Sequence, residues 1–265
     1  MSSTTIDEPA ALVERRGNVA VVSLNRPRAL NAVDSTLSTA VGNAVHAANV
    51  DPDVRAIVLT GSGRAFCAGA DLKEIAAGRS LDADGHPEWG FAGFVRQWVD
   101  KPTIAAVNGF ALGGGTELLL ACDLAVVDET AALGLPEVKR GLFAGAGGVL
   151  RMSQQIPRKI ALEIALTGEP ITAARAYELG LINRVAPQGA SLDVALELAE
   201  SIAVNAPLSV VTSKQLVHES ANGDTWGDGL WARNQEAMNV VFSSADAHEG
   251  ATAFGEKRQP VWTGK

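Results

Sequence analysis

The sequence predicts an α/β fold, and three observations carry that prediction. Short apolar runs at 19–24, 56–60, 103–107 and 124–127 read as buried strands. Turns separate them from stretches with helical apolar spacing, such as 35–48, and strands alternating with helices indicate the α/β class. Beyond residue 191 only helical patterns remain.

In chain order, the strand-like run Ala-Ile-Val-Leu-Thr-Gly at 56–61 leads into Arg64-Ala65-Phe66-Cys67-Ala68-Gly69-Ala70-Asp71-Leu72-Lys73-Glu74. Asp71 is placed to cap a helix through Ile75 to Ala77, because a carboxylate accepts from the free amides of a first turn. The amides around Ala70 then point out of the turn, where they stabilise negative charge. Residues 76–99 are rich in glycine, proline and acidic residues. That composition predicts a long loop, and long loops over sites are often functional.

After the strand at 103–107, Ala111-Leu112-Gly113-Gly114-Gly115-Thr116-Glu117 reads as a tight strand-to-helix turn, with the amide of Gly114 free and a carboxylate starting the helix. Glu137 comes directly after Leu133-Gly134-Leu135-Pro136. Proline lacks a donor and fixes its own φ, so it ends an extended segment and redirects the chain beyond it. Gly145-Ala146-Gly147-Gly148 supplies backbone with little side-chain bulk, able to approach a ligand closely. A helix from Thr172 ends at Gly180, a fitting C′ residue, before a last strand-like segment at 181–185. The segments 192–204 and 208–217, split at Pro207, and 225–242 carry apolar residues on helical spacing.

Each glycine or proline turn, taken singly, is also an ordinary turn. Together, two turns with free amides and two glutamates, Glu117 and Glu137, suit a reaction whose transition state is an enolate. The amides would hold the oxygen of a thioester as charge develops, and the carboxylates would move a proton and position water.

Composition sets outer bounds. With 265 residues, 47% apolar and 20% charged, the chain is ordinary globular material for one large domain or a domain with an appendage. A net charge of −8 argues against nucleic acid, whose binding face needs a basic excess. Cys67 and Cys122 are too few for a disulfide framework and lie in apolar settings. His46, His86, His218 and His248 are scattered, so no metal site is expected. Residues 1–10 are polar, without the basic and apolar regions of a leader or membrane segment. A cytoplasmic protein is expected.

The motifs in this order resemble the crotonase superfamily, also called the enoyl-CoA hydratase/isomerase family, nearly end to end. The matching pieces are Asn31-Ala32 after Arg26-Pro27-Arg28-Ala29-Leu30, Ala68 to Leu72, Lys101 to Gly109, the Gly113 to Glu117 turn, Leu135-Pro136-Glu137, Gly145 to Gly148, Leu166-Thr167-Gly168, residues 176–185, and the tail from Glu249 to Arg258. The resemblance implies a ClpP-like spiral of ββα units over 1–190 holding the catalytic site. A carboxy-terminal helical region, 191–265, would pack the chain into homotrimers or dimers of trimers.

The activity it implies is addition of water to a trans-2-enoyl-CoA, giving a 3-hydroxyacyl-CoA in fatty-acid or related acyl or steroid side-chain β-oxidation. On the same resemblance, the amides of Ala70 and Gly114 form the oxyanion hole, Glu117 helps activate water for attack at Cβ, and Glu137 delivers a proton to Cα. Keeping both glutamates favours hydration over single-acid isomerisation. The pantetheine would lie beside Ala68, Asp71 and Leu72, and the adenine and phosphates near Arg26, Ala29 and Leu30. Lys257 would add a charge, from a neighbouring subunit. Phe91, Phe143 and Gly145 are the acyl-pocket candidates. No separate cofactor is implied, since coenzyme A is part of the substrate.

Two positions depart from the pattern: Thr116 stands where cysteine or another small residue is frequent, and Phe143 where a smaller residue or proline is usual. The Gly90-Phe91-Ala92-Gly93 stretch, Gly148 to Arg151 and the ending Lys257 to Trp262 are similar to the branch containing carnitinyl-CoA dehydratase, which widens the expected substrate range. A carnitinyl-CoA dehydratase, an enoyl-CoA isomerase and a non-catalytic acyl-CoA binding protein remain the alternatives.

Overall fold

The structure is a computed structural model describing residues 8–221 and 223–265; of the polar amino-terminal segment 1–10, residues 1–7 lie outside these. Its strands are β1 Ala11–Arg16, β2 Val19–Leu24, β3 Ala56–Gly61, β4 Ala65–Cys67, β5 Thr103–Val107, β6 Phe110–Leu112, β7 Leu124–Asp128, β8 Ala132–Gly134, β9 Ile171–Thr172 and β10 Arg184–Ala186. Its helices are α1 Ser35–Val50, α2 Leu72–Ala76, α3 Gly114–Ala121, α4 Gly148–Gln155, α5 Arg158–Thr167, α6 Ala173–Glu178, α7 Ser191–Ala203, α8 Pro207–Ser220, α9 Asp228–Phe242 and α10 Ala245–Glu256.

A six-stranded sheet runs β1-β2-β3-β5-β7-β10 and a four-stranded sheet runs β4-β6-β8-β9. The chain passes from β3 to β4, β5 to β6 and β7 to β8, laying one strand in each sheet before it reaches a helix. After β3, β5 and β7 a second, three-residue strand, too short to show an apolar period, precedes the helix, in keeping with the ββα units that the resemblance implies. The strand expected at 181–185 forms only at Arg184–Ala186. Leu181 and Ile182 are buried instead, and the Leu181 amide closes the end of α6 by donating to Ala176 O at 2.9 Å.

The parallel strands β2, β3, β5 and β7 are largely apolar because both faces of the sheet are covered there, whereas the edge strand β1 runs antiparallel to β2 and is exposed. Val22, Leu24, Ile57, Leu59, Ala105 and Val107 face a core shared with α1 and α3. The alternate residues Val19, Val21, Ala56, Val58, Ile104 and Ala106 face α7 through Ala195, Leu196 and Ala199. A parallel sheet covered on both faces needs this pattern. α7, which opens the helical region expected after residue 190, thus packs into the sheet's own core.

The loop expected at 76–99 packs closely. It contains α2's last residue and two 3-10 turns, Pro87–Trp89 and Phe91–Gly93, and buries Ala92, Phe94, Val95 and Val99. Gly93, at φ +64, lies so near α1 that a Cβ would stand 2.2 Å from Ser38 O; only glycine fits that approach. In the carboxy-terminal part Trp226 is 92% and Phe254 89% exposed on the single chain. Among the described residues no single helix is long and apolar enough to cross a membrane.

Candidate active site

β4, β6 and β8 are parallel neighbours, with Cys67 opposite Ala111 and Leu112 opposite Gly134. Their carboxyl ends therefore lie side by side, the usual place for a site in such sheets. Ala70 follows β4, Gly114 follows β6, and Glu137 follows β8, while Glu117 sits one turn into α3.

Gly69, at φ +97, turns the chain after β4 against the β6–α3 turn: a Cβ there would lie 3.0 Å from Leu112 O and 3.2 Å from Gly114 N. Beside it Val33 N donates to Gly69 O and Asp71 N to Val33 O, both at 2.9 Å. That parallel bridge uses the flanking groups and leaves the amide of Ala70 directed elsewhere. Gly114 opens α3, where an amide has no intrahelical acceptor. Among the described residues neither amide donates a hydrogen bond.

Glu117 is 3% exposed, and its Oε1 accepts from the amide of Gly148, the first residue of α4, at 2.9 Å. Burial pushes its carboxyl up to about 7; the Gly148 amide opposes this, the charge of Glu137 adds to it, and the Ala146 amide and Arg151 oppose it further. Glu137 opens the 3-10 helix Pro136–Arg140 and is half-buried. Its Oε1 lies over Gly113, 3.0 Å from where a Cβ would stand. Its Oε2 is buried and accepts from no donor among the described residues. Burial raises this carboxyl too, against a lowering hydrogen bond from its own amide. Burial thus raises both carboxyls above the ordinary carboxylate range, and the charge of Glu137 adds to the rise of Glu117.

The Phe91 ring rests on Gly114, where a Cβ would be 2.3 Å from Phe91 Cζ. Ala92 at φ 56 and Gly90 at φ 70 aim it there. Phe143 is 68% exposed, with its ring near Gly145, whose Cβ would be 3.4 Å from Phe143 Cζ. The Cys67 thiol is fully buried, which pushes it up to about 12 and leaves it a poor nucleophile at neutral pH.

The structure also gathers the residues expected beside the nucleotide. Ala68 N donates to Leu30 O at 3.0 Å, and Arg26 pairs with Asp34 at 2.9 Å and Asp71 at 3.3 Å. Arg26 thereby joins the N-cap carboxylates of α1 and α2, so its charge is engaged within the protein. Ala29 lies in the adjoining 3-10 turn, and Leu72 is 51% exposed on the rim of α2. Lys257 is exposed at the left-handed C-cap of α10. No hydrogen bond or ion pair among the described residues joins it to the glutamates.

Three residues named in the sequence analysis take structural roles there that the sequence did not reveal. Asn31, fully buried at φ 56, donates through Nδ2 to Ser62, Ala65 and Phe66 carbonyls and accepts from Arg26 N, fixing the turn under Ala68. Thr116 Oγ1 accepts from Gly134 N at 2.9 Å and lies 2.7 Å from Ala111 O, stitching α3 to β6 and β8. The third is the Gly148 amide: in sequence the glycine cluster reads as backbone able to approach a ligand, and the structure turns this amide onto Glu117 instead. A separate cavity of about 470 Å³ lies at the far end of α3, near Trp98, Asp123, Arg151 and Lys214, and neither glutamate lines it. Among the described residues no group of three or more His, Cys, Asp and Glu is arranged to hold a metal ion.

Chemically, the site offers two amides for an oxygen that gains charge and two raised carboxyls for proton transfer at neighbouring carbons. Residues 14–265 match the family model described as enoyl-CoA hydratase/isomerase. A carnitinyl-CoA dehydratase of Salmonella paratyphi A is 40% identical over 255 residues, 95% of this chain and 97% of its own. The crystal structure of an enoyl-CoA hydratase from Mycobacterium tuberculosis H37Rv is 46% identical with a TM-score of 0.92, over 97% of this chain and 100% of that one. A carnitinyl-CoA dehydratase structure from Mycobacterium avium 104 is 56% identical with a TM-score of 0.79, over the same shares.

Proposed function

The chain belongs to the enoyl-CoA hydratase/isomerase family, and we propose that it hydrates a trans-2-enoyl-CoA to a 3-hydroxyacyl-CoA. One observation carries this reading: two raised carboxyls, Glu117 and Glu137, stand beside two undonated amides, those of Ala70 and Gly114. A single-acid isomerase needs only one of the glutamates, and a passive acyl-CoA binder needs neither.

In the proposed reaction the thioester oxygen accepts from the Ala70 and Gly114 amides, which makes Cβ electrophilic and prepares Cα to hold charge. Water adds its oxygen to Cβ as Glu117 takes a water proton, and the Cα–Cβ π electrons pass into the enolate. Glu137, entering protonated, gives its proton to Cα as the enolate collapses and the thioester carbonyl is restored. A carboxyl raised to about 7 is a stronger base than an exposed one, so burial serves Glu117 in this role.

The coenzyme would run along Ala29, Leu30, Ala68 and Leu72. With Arg26 held by two carboxylates, the phosphates would take their charge partner from Lys257 of a neighbouring subunit. The exposed Trp226 and Phe254 support a homotrimer or a dimer of trimers, and the free, buried Cys67 and Cys122 support a cytoplasmic enzyme.

A second reading is favoured by the carnitinyl-CoA dehydratase relatives. The same acid and base serve elimination of water from carnitinyl-CoA, whose quaternary ammonium would need an aromatic face such as Phe91 or Phe143. The test is loss of conjugated-thioester absorbance with crotonyl-CoA, a longer enoyl-CoA and crotonobetainyl-CoA, run alongside Glu117→Gln and Glu137→Gln. Turnover that both variants abolish supports hydration, and the favoured substrate separates the two readings. Tight acyl-CoA binding without turnover of any substrate would sink both.

A further inference from the structure

Arg151 stands on α4, one turn after the Gly148 amide that holds Glu117. Its backbone amide donates to Gly147 O at 2.8 Å. Its side chain folds back over the same turn: a Cβ at Gly147 would lie 2.3 Å from Arg151 Nη1, and the φ of +105 at Gly147 itself favours glycine. From there Nη2 donates to the carbonyl of Val95. Val95 N in turn donates to Phe91 O at 3.2 Å, and the Phe91 ring rests on Gly114. One side chain therefore spans the glycine turn that serves Glu117 and the segment whose Phe91 ring rests on Gly114.

Its charge is felt at the site as well. Arg151 is among the groups that oppose the rise of Glu117, and burial lowers Arg151's own affinity for its proton while Glu117 and Cys122 oppose that. Arg151 forms no salt bridge among the described residues, so its charge is not cancelled by a closer partner. The other ionisable groups acting on or near Glu117 are Glu137, after β8, and the thiol of Cys67, in β4.

We propose that Arg151 is a positioning residue for this reaction: it tethers the Phe91–Val95 segment to the Gly147–Gly148 turn and lays a positive charge beside Glu117. The proposal rests on the hydratase reading for its catalytic consequence but not for the contacts themselves. It has two separable effects. The charge lowers the pH at which Glu117 ionises, against the larger effect of burial, and the planar fork on Val95 sets how firmly Phe91 covers Gly114. Lysine keeps the first and loses the second, because a point charge on a flexible stem does not reproduce the guanidinium fork.

The experiment compares Arg151→Lys and Arg151→Met with the parent in the full chain. Arg151→Met is expected to move the Glu117 limb of the kcat/KM pH profile upward by about half a pH unit, and Arg151→Lys to leave it in place. Both variants are expected to change the preference between crotonyl-CoA and a longer enoyl-CoA by about tenfold, because both free the Phe91 segment. A lowered melting temperature with pH profile and chain preference unchanged would reduce Arg151 to an ordinary structural residue and overturn the proposal.

A readout independent of activity is a double-mutant cycle of Arg151→Met with Glu117→Gln in urea unfolding, at fixed protein concentration. Coupling worth about a two- to tenfold change in the unfolding constant is expected at about pH 8, and its loss at about pH 5, where Glu117 is protonated. Equal coupling at the two pH values would also overturn the proposal. If the parent hydrates no enoyl-CoA, the hydratase reading falls while this cycle still decides the link between Arg151 and Glu117.

Discussion

The amide of Gly148 donates to Glu117 Oε1 at 2.9 Å, across a gap that any side chain at 148 would close: a Cβ there would be 3.0 Å from the same oxygen. Glu117 is thus held in a dry place by backbone alone, and burial outweighs that hydrogen bond in setting its ionisation.

Glu117→Gln is expected to lower kcat/KM by about 10²–10⁴-fold, the usual worth of a positioned acid or base. Stability should move the other way. The folded-state value of about 7 lies above the ordinary 4.5, so the folded protein holds the extra proton between these values and loses stability as pH rises through them. Glutamine does not titrate, so the variant should gain about 1–3 kcal/mol over the parent at about pH 8 and almost nothing at about pH 4.5. Urea unfolding at the two pH values measures it; a variant less stable at the higher pH would contradict the assignment.

Glu137→Gln is expected to lose about 10²–10⁴-fold in kcat/KM while acyl-CoA affinity stays within about threefold of the parent, because it removes the proposed proton donor and leaves the Ala70 and Gly114 amides in place. Turnover assays paired with calorimetric titration of a saturated acyl-CoA distinguish this from a collapsed site, which would lose both.

Gly114→Ala puts a Cβ 2.3 Å from the Phe91 ring. The displaced ring should cost about 1–3 kcal/mol of stability, and a shift of the amide should cut kcat by about 10²-fold. Adding Phe91→Ala should return most of the stability. A double variant no more stable than Gly114→Ala would show that the collision does not govern the site.

Thr116→Val keeps the shape and removes the hydroxyl that accepts from Gly134 N. A buried amide left without an acceptor costs about 1–3 kcal/mol, and thermal unfolding should register it. Activity should fall less than for either glutamate, since Thr116 acts by joining α3 to β6 and β8.

Legibility in the sequence tracked element length. β2, β3, β5, β7, α1 and the later helices carry enough residues to show their period, and the structure has them close to where that period puts them. β4, β6 and β8 have three residues each, so the second strand of each unit was invisible to periodicity. Their turns were still legible, because glycine and proline mark conformations other residues avoid.

By itself the sequence determined the α/β class, the free amides after the Ala70 and Gly114 turns, and the chemical type of the two glutamates, all of which depend on local spacing and backbone freedom. Only the tertiary structure decided that β4, β6 and β8 lie side by side, that Arg26 is engaged by Asp34 and Asp71, that Phe91 covers Gly114, and that Arg151 reaches Val95. Those contacts join residues far apart in the chain. The raised carboxyls belong with them, since desolvation is a property of everything packed around a group and is written in no single segment.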